Sequence, residues 1–305
     1  MADTGTGAGV PAQGPVQGSS SQPSPKTSRA GRNLPVAILV GATLGAGVVA
    51  SLKYAPHAFV GIVAAGVLLG TLEVGRRLRA AGYVIPMIPL VVGGQATVWS
   101  TWPYSTRGAL AGFGGTVVAC MIWRLLSRHG RRAAHGTDAA PANYLRDVSA
   151  TVFLAAWVPL FASFAALLVC DHDGPGRAFS FAIGVVSSDI GGYAAGVLFG
   201  RHPMVPAISP KKTWEGLVGS LLFGVTATTL SVGYLAGKPL WIGVLLGLTV
   251  VCAATLGDLV ESQVKRDLGI KDMGSLLPGH GGVLDRFDGF LLSAVAAWVV
   301  LTLVP

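Results

Sequence analysis

The sequence predicts an all-α integral membrane protein with about nine transmembrane helices and a disordered N-terminal tail. Three observations lead to this fold class. Of the 305 residues, 51% are hydrophobic and only 12% are charged, whereas about 25% of the residues of a soluble globular protein are charged. The 43 glycines suit helices that pack closely in lipid. Apolar segments of about 20 residues, the length that crosses a hydrocarbon core, recur from residue 34 onward.

The first 33 residues differ from the rest of the chain. They are rich in Gly, Ser, Pro, Gln and Thr and contain almost no large apolar side chains. Such a segment cannot bury enough apolar surface to offset the entropy lost on ordering. We therefore expect residues 1–33 to be a disordered cytoplasmic tail. An apolar stretch near the start is missing, which argues against a signal peptide.

Nine apolar segments follow this tail, and we interpret each as a membrane span. They lie near residues 35–52, 56–75, 82–101, 107–126, 148–169, 177–200, 214–235, 239–258 and 287–304. The first two are joined so closely that they could instead form a re-entrant pair. We divide the chain into N-terminal transmembrane helices at 34–170 and a C-terminal transmembrane catalytic region at 171–305.

The basic residues predict how the chain is oriented. If the N-terminus is cytoplasmic and the spans alternate, 18 of the 22 Lys and Arg residues face the cytoplasm. Only Lys53, Arg107, Arg177 and Lys238 face the other side. Cytoplasmic loops carry such an excess, so we expect the N-terminus inside and the C-terminus outside. The net charge of +8 forms no patch interleaved with aromatic residues, and we expect no nucleic-acid partner.

Acidic residues are concentrated in the last third of the chain, where eight of the 14 lie between Asp189 and Asp288. The same loops carry a set of basic side chains. These are Lys211, Lys212, Lys265, Arg266, Lys271 and Arg286. Carboxylates bind hard divalent cations, and Lys and Arg bind phosphate oxygens. We therefore predict a metal-dependent site for phosphate chemistry at the cytoplasmic face of the membrane.

The helix that ends near residue 266 carries the first group of candidate residues. Asp258, either Glu261 or Ser262, and Lys265 lie on one stripe at i, i+3/i+4 helical spacing. A carboxylate at Asp258 is costly beside apolar neighbours unless it has a partner. Glu261 could instead be an ordinary solvated residue at a helix end.

The second group opens the last apolar helix. Asp285 and Asp288 are three residues apart and can share one face, although acids also complement the dipole at a helix N-terminus. The glycines of the preceding loop, Pro278–Gly282, allow close backbone approach to a ligand. A plain turn would have a similar composition, and His280 could be an ordinary loop histidine.

Two further segments carry polar residues. Ser209, Lys211, Lys212 and Thr213 precede a helix N-terminus, which is a natural anion site, although the lysines could instead be ordinary membrane-flanking charges. In the second span, Glu73 is followed by Arg76 and Arg77. We interpret these as a local ion pair.

Residues 262–288 form a pattern with fixed spacing. It reads Ser262-x2-Lys265-Arg266-x4-Lys271-Asp272-x-Gly274-x2-Leu277-Pro278-x-His280-Gly281-Gly282-x2-Asp285-Arg286-x-Asp288. The pattern resembles the signature of phosphatidate cytidylyltransferases, also called CDP-diacylglycerol synthases. The segment Ser209–Gly216 and the pair Gly257-Asp258 are similar to the same family. The resemblance covers about residues 180–305.

The resemblance implies a reaction in which CTP and phosphatidic acid give CDP-diacylglycerol and pyrophosphate. It also implies Mg²⁺ held by Asp258, Asp285 and Asp288, with K⁺ beside it, and a homodimer in a bacterial-type plasma membrane. We expect catalytic roles for Lys265, Arg266, Lys271, His280 and Asp285, with His280 contacting phosphate or organising its loop. We expect substrate contacts from Ser209, Lys211, Lys212, Thr213, Ser262, Gly281, Gly282 and Arg286.

Other functions stay open at this point. A related enzyme, such as a CTP-dependent polyprenol kinase or a cytidylyltransferase for another lipid phosphate, would share many of these features. A CDP-alcohol phosphotransferase is disfavoured because the chain has no D-x2-D-G-x2-A-R element. A transporter of anionic lipids or phosphorylated metabolites would also place acids and glycines in helices. However, a dense cluster at one face suits chemistry better than a midplane pathway.

Overall fold

Helices make up nearly all of the regular structure. The computed structural model describes residues 34–127, 143–170, 173–274 and 281–304. The helices are α1 (Leu34–Tyr54), α2 (Pro56–Ala80), α3 (Met87–Trp99), α4 (Thr101–Leu126), α5 (Tyr144–Ala155), α6 (Phe161–Val169), α7 (Gly174–Phe199), α8 (Trp214–Leu235), α9 (Leu240–Asp267) and α10 (Leu284–Leu303). A π-helical segment, Ala156–Leu160, joins α5 to α6 without a break and contains Pro159. The predicted tail 1–33 lies outside the described residues.

The membrane-protein fold class is confirmed. With α5 and α6 counted as one, the described part of the chain contains nine helical segments, and each overlaps one of the nine predicted spans. Seven are long and apolar enough to cross a membrane, by length and composition. These are α2, α4, the combined Tyr144–Val169 segment, α7, α8, α9 and α10. The 13 residues of α3 extend for about 20 Å, which is less than the roughly 30 Å hydrocarbon core.

The short α3 forms an antiparallel hairpin with α4. The chain reverses direction around Ser105, which has a positive φ of 52° inside the segment assigned to α4. Past this reversal, Gly112 lies against the backbone of Thr97. The predicted span 82–101 begins later than expected because Gly82 has a φ of 85° and Pro86 precedes the first turn of α3.

Close packing of α7 on α8 depends on small residues. A Cβ atom on Gly191 would lie 2.5 Å from the carbonyl oxygen of Gly219, so only glycine allows the two backbones to approach this closely. The Ser220 hydroxyl donates to the Ser188 carbonyl across the same contact at 2.8 Å. Small residues and interhelical hydrogen bonds are the usual means of helix association in lipid.

Two apolar clusters form the interior of the bundle. One is built mainly from α2, α3 and the α5–α6 segment, and the other mainly from α6, α7, α9 and α10. Helix α10 contributes to both, with Leu284 and Leu291 in the first cluster and Ala294, Ala297 and Leu301 in the second. The N-terminal half of α10 therefore packs in the first cluster and its C-terminal half in the second.

Two departures from the predicted elements position the polar residues. Helix α9 continues nine residues past the predicted end of the eighth span, to Asp267, so the candidate residues from Asp258 to Arg266 all lie on it. The segment after α7 forms an antiparallel hairpin of two short strands, β1 (Pro203–Val205) and β2 (Ser209–Thr213). These strands are the one addition to an otherwise helical set of described elements.

Candidate functional site

Polar side chains from four elements meet at one end of the bundle. This end combines the C-terminal turns of α2 and α9, the N-terminal turns of α10, and the β1–β2 hairpin. Close packing of α9 on α10 is possible because Gly257 lacks a side chain. A Cβ atom there would lie 2.7 Å from the carbonyl oxygen of Asp288. The acids of the two helices are therefore neighbours.

Lys212 connects the hairpin to α9. Its Nζ lies 2.6 Å from Oδ2 of Asp258 and donates to the carbonyl oxygen of Thr255 at 3.1 Å. The other oxygen of Asp258, Oδ1, accepts from the Ser262 hydroxyl at 3.3 Å. The two side chains of the ion pair are 22% and 38% exposed, so solvent reaches both partners and the lysine stays accessible to a phosphate.

Lys265 forms the centre of a second group. Its Nζ lies 3.1 Å from Oε1 of Glu261 and 3.1 Å from Oδ1 of Asp285. Glu261 is fully buried, so the alternative that it is a solvated helix end is wrong. Its carboxylate lies beside those of Asp285 and Asp288. The Lys265 ammonium thus lies between the carboxylates of Glu261 and Asp285, which would otherwise repel each other.

Asp285 organises the loop that precedes α10. Its Oδ2 accepts from the backbone N–H of Gly282 at 2.8 Å and from that of Met273 at 3.0 Å, and Oδ1 lies 3.2 Å from the same Met273 nitrogen. Gly281, next in the loop, has a φ of 84°, a conformation that glycine adopts without strain. The Asp288 carboxylate accepts a hydrogen bond from the N–H of the next residue, Gly289, at 2.7 Å.

Helix α2 supplies two side chains to this end of the bundle, Glu73 and Arg77. The sequence interpretation did not place them there. Glu73 is 6% exposed, and its oxygens accept from the backbone N–H groups of Val283 at 3.0 Å and Leu284 at 3.1 Å. Arg77 donates through Nε to the carbonyl oxygen of Met273 at 2.8 Å. The predicted local ion pair of Glu73 is therefore wrong. Its position in an apolar helix, where an acid is costly without partners, was the available signal.

The hairpin residues take different positions. Thr213 is the N-cap of α8, and its hydroxyl accepts from the N–H of Gly216 at 3.1 Å, as capping residues do. Ser209 is half-buried on β2, and Lys211 is exposed. Glu215 accepts from the backbone N–H groups of Arg201 and His202 and so fixes the entry to β1.

The remaining candidates lie around the edge of this cluster. Lys271, Arg266 and Arg286 are exposed, and Arg266 donates through Nε to the Ile208 carbonyl of the hairpin turn at 3.3 Å. His280 lies outside the described residues, so its predicted role stays a prediction.

The donor set suits a hard cation in its chemistry. Asp258, Glu261, Asp285 and Asp288 supply carboxylate oxygens, which Mg²⁺ prefers. Among the described residues, no three acidic, His or Cys side chains converge as a complete metal cage. However, Mg²⁺ that binds with substrate phosphates takes only one or two carboxylates. Of the two oxygens of buried Glu261, Oε1 lies 3.1 Å from the Lys265 ammonium, whereas Oε2 has no hydrogen-bond donor among the described residues and is the one available to a cation.

Comparisons with known proteins extend over almost the whole chain. The profile of the Cytidylyltransferase family matches residues 35–304. A phosphatidate cytidylyltransferase of Mycobacterium bovis is 60% identical over 306 residues, covering 100% of both chains. One of Mycobacterium leprae is 59% identical over 312 residues, again covering 100% of both. The chloroplastic phosphatidate cytidylyltransferase 4 of Arabidopsis thaliana is 42% identical over 116 residues, which is 38% of this chain and 29% of that protein.

Proposed function

We propose that this chain, which belongs to the Cytidylyltransferase family, transfers the CMP group of CTP to phosphatidic acid, giving CDP-diacylglycerol and pyrophosphate. The observation that carries the proposal is the cluster of four carboxylates and two lysines, Lys212 and Lys265, at one end of a membrane-spanning bundle. A water-soluble nucleotide and a membrane lipid can meet only where a site lies at the membrane surface.

The two lysines are suited to bind phosphate without leaving their carboxylates. An ammonium group has three N–H donors. Two on Lys265 are directed to Glu261 and Asp285, and two on Lys212 to Asp258 and Thr255. The third donor of each can reach a phosphate oxygen of the substrate. Arg266, Lys271 and Lys211, which are exposed nearby, add positive charge for the triphosphate.

Mg²⁺ is part of this proposal, with Asp288, Glu261 and Asp258 as the side chains that would hold it. Bound there, the ion would neutralise negative charge on the phosphates and align the two substrates. Asp285 was also a predicted ligand. Since its oxygens accept from two backbone N–H groups and Lys265, its contribution is to keep the loop in place. K⁺ as an accompanying cation rests on the family resemblance, and replacing K⁺ by Na⁺ in the assay tests it.

The chemical step is an in-line displacement at phosphorus. A phosphate oxygen of phosphatidate forms a bond to the α-phosphorus of CTP, and the bond from that phosphorus to the bridging oxygen of the β-phosphate breaks. Pyrophosphate leaves with the electron pair. The phosphatidate oxygen is already ionised near neutral pH, so the step requires no general base. Lys265 and Lys212 stabilise the charge that moves onto the leaving oxygens.

The test uses the full chain, purified in detergent, with CTP labelled at either the α- or the γ-phosphorus. With Mg²⁺ and phosphatidate, the α-label should enter the lipid product and the γ-label should appear in pyrophosphate. Transfer of the γ-label to a polyprenol would instead identify a lipid kinase. Absence of α-labelled lipid with any phosphatidate would exclude the proposal. A transporter would move the lipid or nucleotide in vesicles without forming the product.

The orientation in the membrane is a second part of the proposal. The chain is a multi-pass membrane protein, and its bacterial relatives support a plasma-membrane location. We place the N-terminus and the site in the cytoplasm and the C-terminus outside. The 28 residues of α9 extend for about 42 Å, so Lys238 and Lys265 lie at opposite ends of one span. A cysteine at Lys238 should react with an impermeant maleimide added to whole cells, whereas one at Lys271 should react only after lysis.

A homodimer is also proposed, on the family resemblance. Light scattering of the protein in detergent, corrected for bound detergent, measures the protein mass directly. A mass near twice the 31.1 kDa of one chain is expected, and a value near the monomer mass would exclude the dimer under those conditions.

A further inference from the structure

An apolar cavity of about 610 Å³ lies between α1, α2, the α5–α6 segment, α7 and α10. Apart from Ser187 and Arg286, every residue that lines it is a glycine or has an apolar side chain. Its size is within the range of ligand sites, which is about 300 to 1,000 Å³. Nothing in the transfer of CMP itself uses this space.

One end of the cavity lies at the first turn of α10, the turn that also carries Asp285 and Asp288. Arg286 and Phe287 line it, on the face of α10 that helical spacing directs away from the two carboxylates. Val283 and Leu284, whose N–H groups donate to Glu73, line the same end. A ligand that extends along the cavity therefore begins at the first turn of α10, beside Arg286, with the carboxylates on the other side of this turn.

The other side of the cavity reaches the outer surface of the bundle between α1 and α7. Val49 on α1 and Val186 on α7 both line the cavity, and they are 50% and 47% exposed. Since these helices face lipid in a membrane, the cavity connects the hydrocarbon core with the basic side chain of Arg286 at the first turn of α10. A molecule with an anionic head and apolar chains matches both environments.

We propose that an acyl chain of the phosphatidate substrate occupies this cavity, with the lipid phosphate near Arg286, and that Gly45 and Gly66 set the chain length accepted. This inference rests on the proposed function. Both glycines line the cavity. A Cβ atom added to either would meet no other described atom within 4 Å. The space at the Cβ position of each glycine is therefore open, and we expect a larger side chain there to take up part of the cavity and shorten it.

The first experiment compares two substrates with the variants Gly66→Leu and Gly45→Leu. For each protein, kcat/KM is measured for dioleoyl and dihexanoyl phosphatidate at saturating CTP. The long-chain to short-chain ratio should fall about tenfold or more, since single methylenes in apolar pockets change selectivity by this amount. Gly115→Leu is the matched control. This exposed glycine of α4 also has nothing within 4 Å of an added Cβ, and it does not line the cavity.

An equal loss of activity with both lipids, or an unchanged ratio in both variants, would overturn the inference. An unchanged ratio is also what a permanently bound structural lipid in the cavity would give. If the wild-type chain forms no CDP-diacylglycerol from either lipid, the proposed function fails instead.

A second measurement uses the unmodified protein and does not depend on how the variants fold. Phosphatidate with a diazirine at the end of one acyl chain is photoactivated in the presence of the full chain. The label should be found on peptides of α1, α2, α6 or α7 that line the cavity, and excess dioleoyl phosphatidate should compete. Labelling confined to other helices would exclude this cavity as the acyl site.

Discussion

The carboxylate of Glu73 on α2 accepts hydrogen bonds from the backbone N–H groups of Val283 and Leu284, about 210 positions further along the chain. These N–H groups belong to the first turn of α10, where helices leave their donors without intrahelical partners. A glutamate from the N-terminal half thus caps the helix that carries Asp285 and Asp288. The interaction fixes the position of the acids although Glu73 itself is not one of the clustered carboxylates.

Replacing Glu73 should therefore reduce activity from a distance. In Glu73→Ala, two buried N–H groups lose their acceptor, which costs about 1–3 kcal/mol of stability. Loss of such a supporting partner should also lower kcat about 10- to 100-fold. Glu73→Gln keeps one carbonyl oxygen and should retain more activity. CDP-diacylglycerol formation and thermal unfolding in detergent measure the two effects. Wild-type kcat in Glu73→Ala would contradict the positioning role.

Gly274 and Glu73 should be coupled. A Cβ atom on Gly274 would overlap Oε1 of Glu73, and one on Gly282 would lie 2.7 Å from Oε2. Gly274→Ala should therefore impair both folding stability and activity. In the Glu73→Ala background the same change should cost much less, since the clashing atoms are gone, and the double-mutant cycle should be non-additive by about 0.5–3 kcal/mol. Gly115→Ala serves as the control. Strict additivity would exclude the contact.

Removing the ammonium of Lys265 should be severe. In Lys265→Met, Glu261 and Asp285 lose the cation at 3.1 Å that separates them, and the substrate loses a phosphate donor. Activity should fall about 100-fold or more, and Lys265→Arg should recover part of it. Lys238→Met, at the opposite end of α9, should leave turnover nearly unchanged. Equal effects of the two Met variants would show that the loss is not local to the cluster.

The acids should differ in their response to Mg²⁺. Asp288→Asn and Glu261→Gln should raise the Mg²⁺ concentration needed for half-maximal activity, because they remove proposed ligands. Asp285→Asn instead disturbs the contacts to the Met273 and Gly282 N–H groups, and it should lower kcat with little change in the Mg²⁺ requirement. Chelation by EDTA should abolish activity in every protein. A raised Mg²⁺ requirement in Asp285→Asn alone would reverse this assignment.

A buried ion pair stabilises the end of α4 against α5. Arg124 donates through Nε and Nη2 to Oδ2 of Asp147 at 3.0 and 2.8 Å, and the two side chains are 1% and 2% exposed. Asp147→Ala leaves a buried guanidinium without this partner and should cost about 3–5 kcal/mol of stability. Thermal unfolding measures this. Arg146→Ala removes a 45% exposed neighbour and should have a much smaller effect.

The sequence predicted the fold class well because lipid imposes a simple physical rule. A span must be helical, apolar and about 20 residues long, and these properties are local. The helical spacing of Asp258, Ser262 and Lys265 is local too, and the Asp258–Ser262 contact forms as the stripe indicated. Where the predicted bounds of the spans failed, a turn or a helix end was involved. Examples are the short α3 and the extension of α9 beyond its apolar part.

Contacts between distant segments required the tertiary structure. Nothing near Glu73 in the sequence indicates that it caps α10, because backbone N–H groups carry no sequence signal. The pairing of Lys212 with Asp258 depends on the hairpin that follows α7, and the pairing of Lys265 with Asp285 depends on the close approach of two helices at Gly257. The cavity is likewise a product of how α1, α2, the α5–α6 segment, α7 and α10 pack together.

The sequence alone thus predicted a polar site at one membrane face. It did so through its composition, through the spacing of residues 262–288, and through the concentration of charged residues at one side of the predicted spans. Only the tertiary structure decided which carboxylate binds the loop, which lysine meets which acid, and where an acyl chain has room. The physical reason is that the free energy of moving a residue from water into lipid depends on the charge and hydropathy of that residue itself. Hydrogen bonds and cavities instead depend on distances that only the packed chain defines.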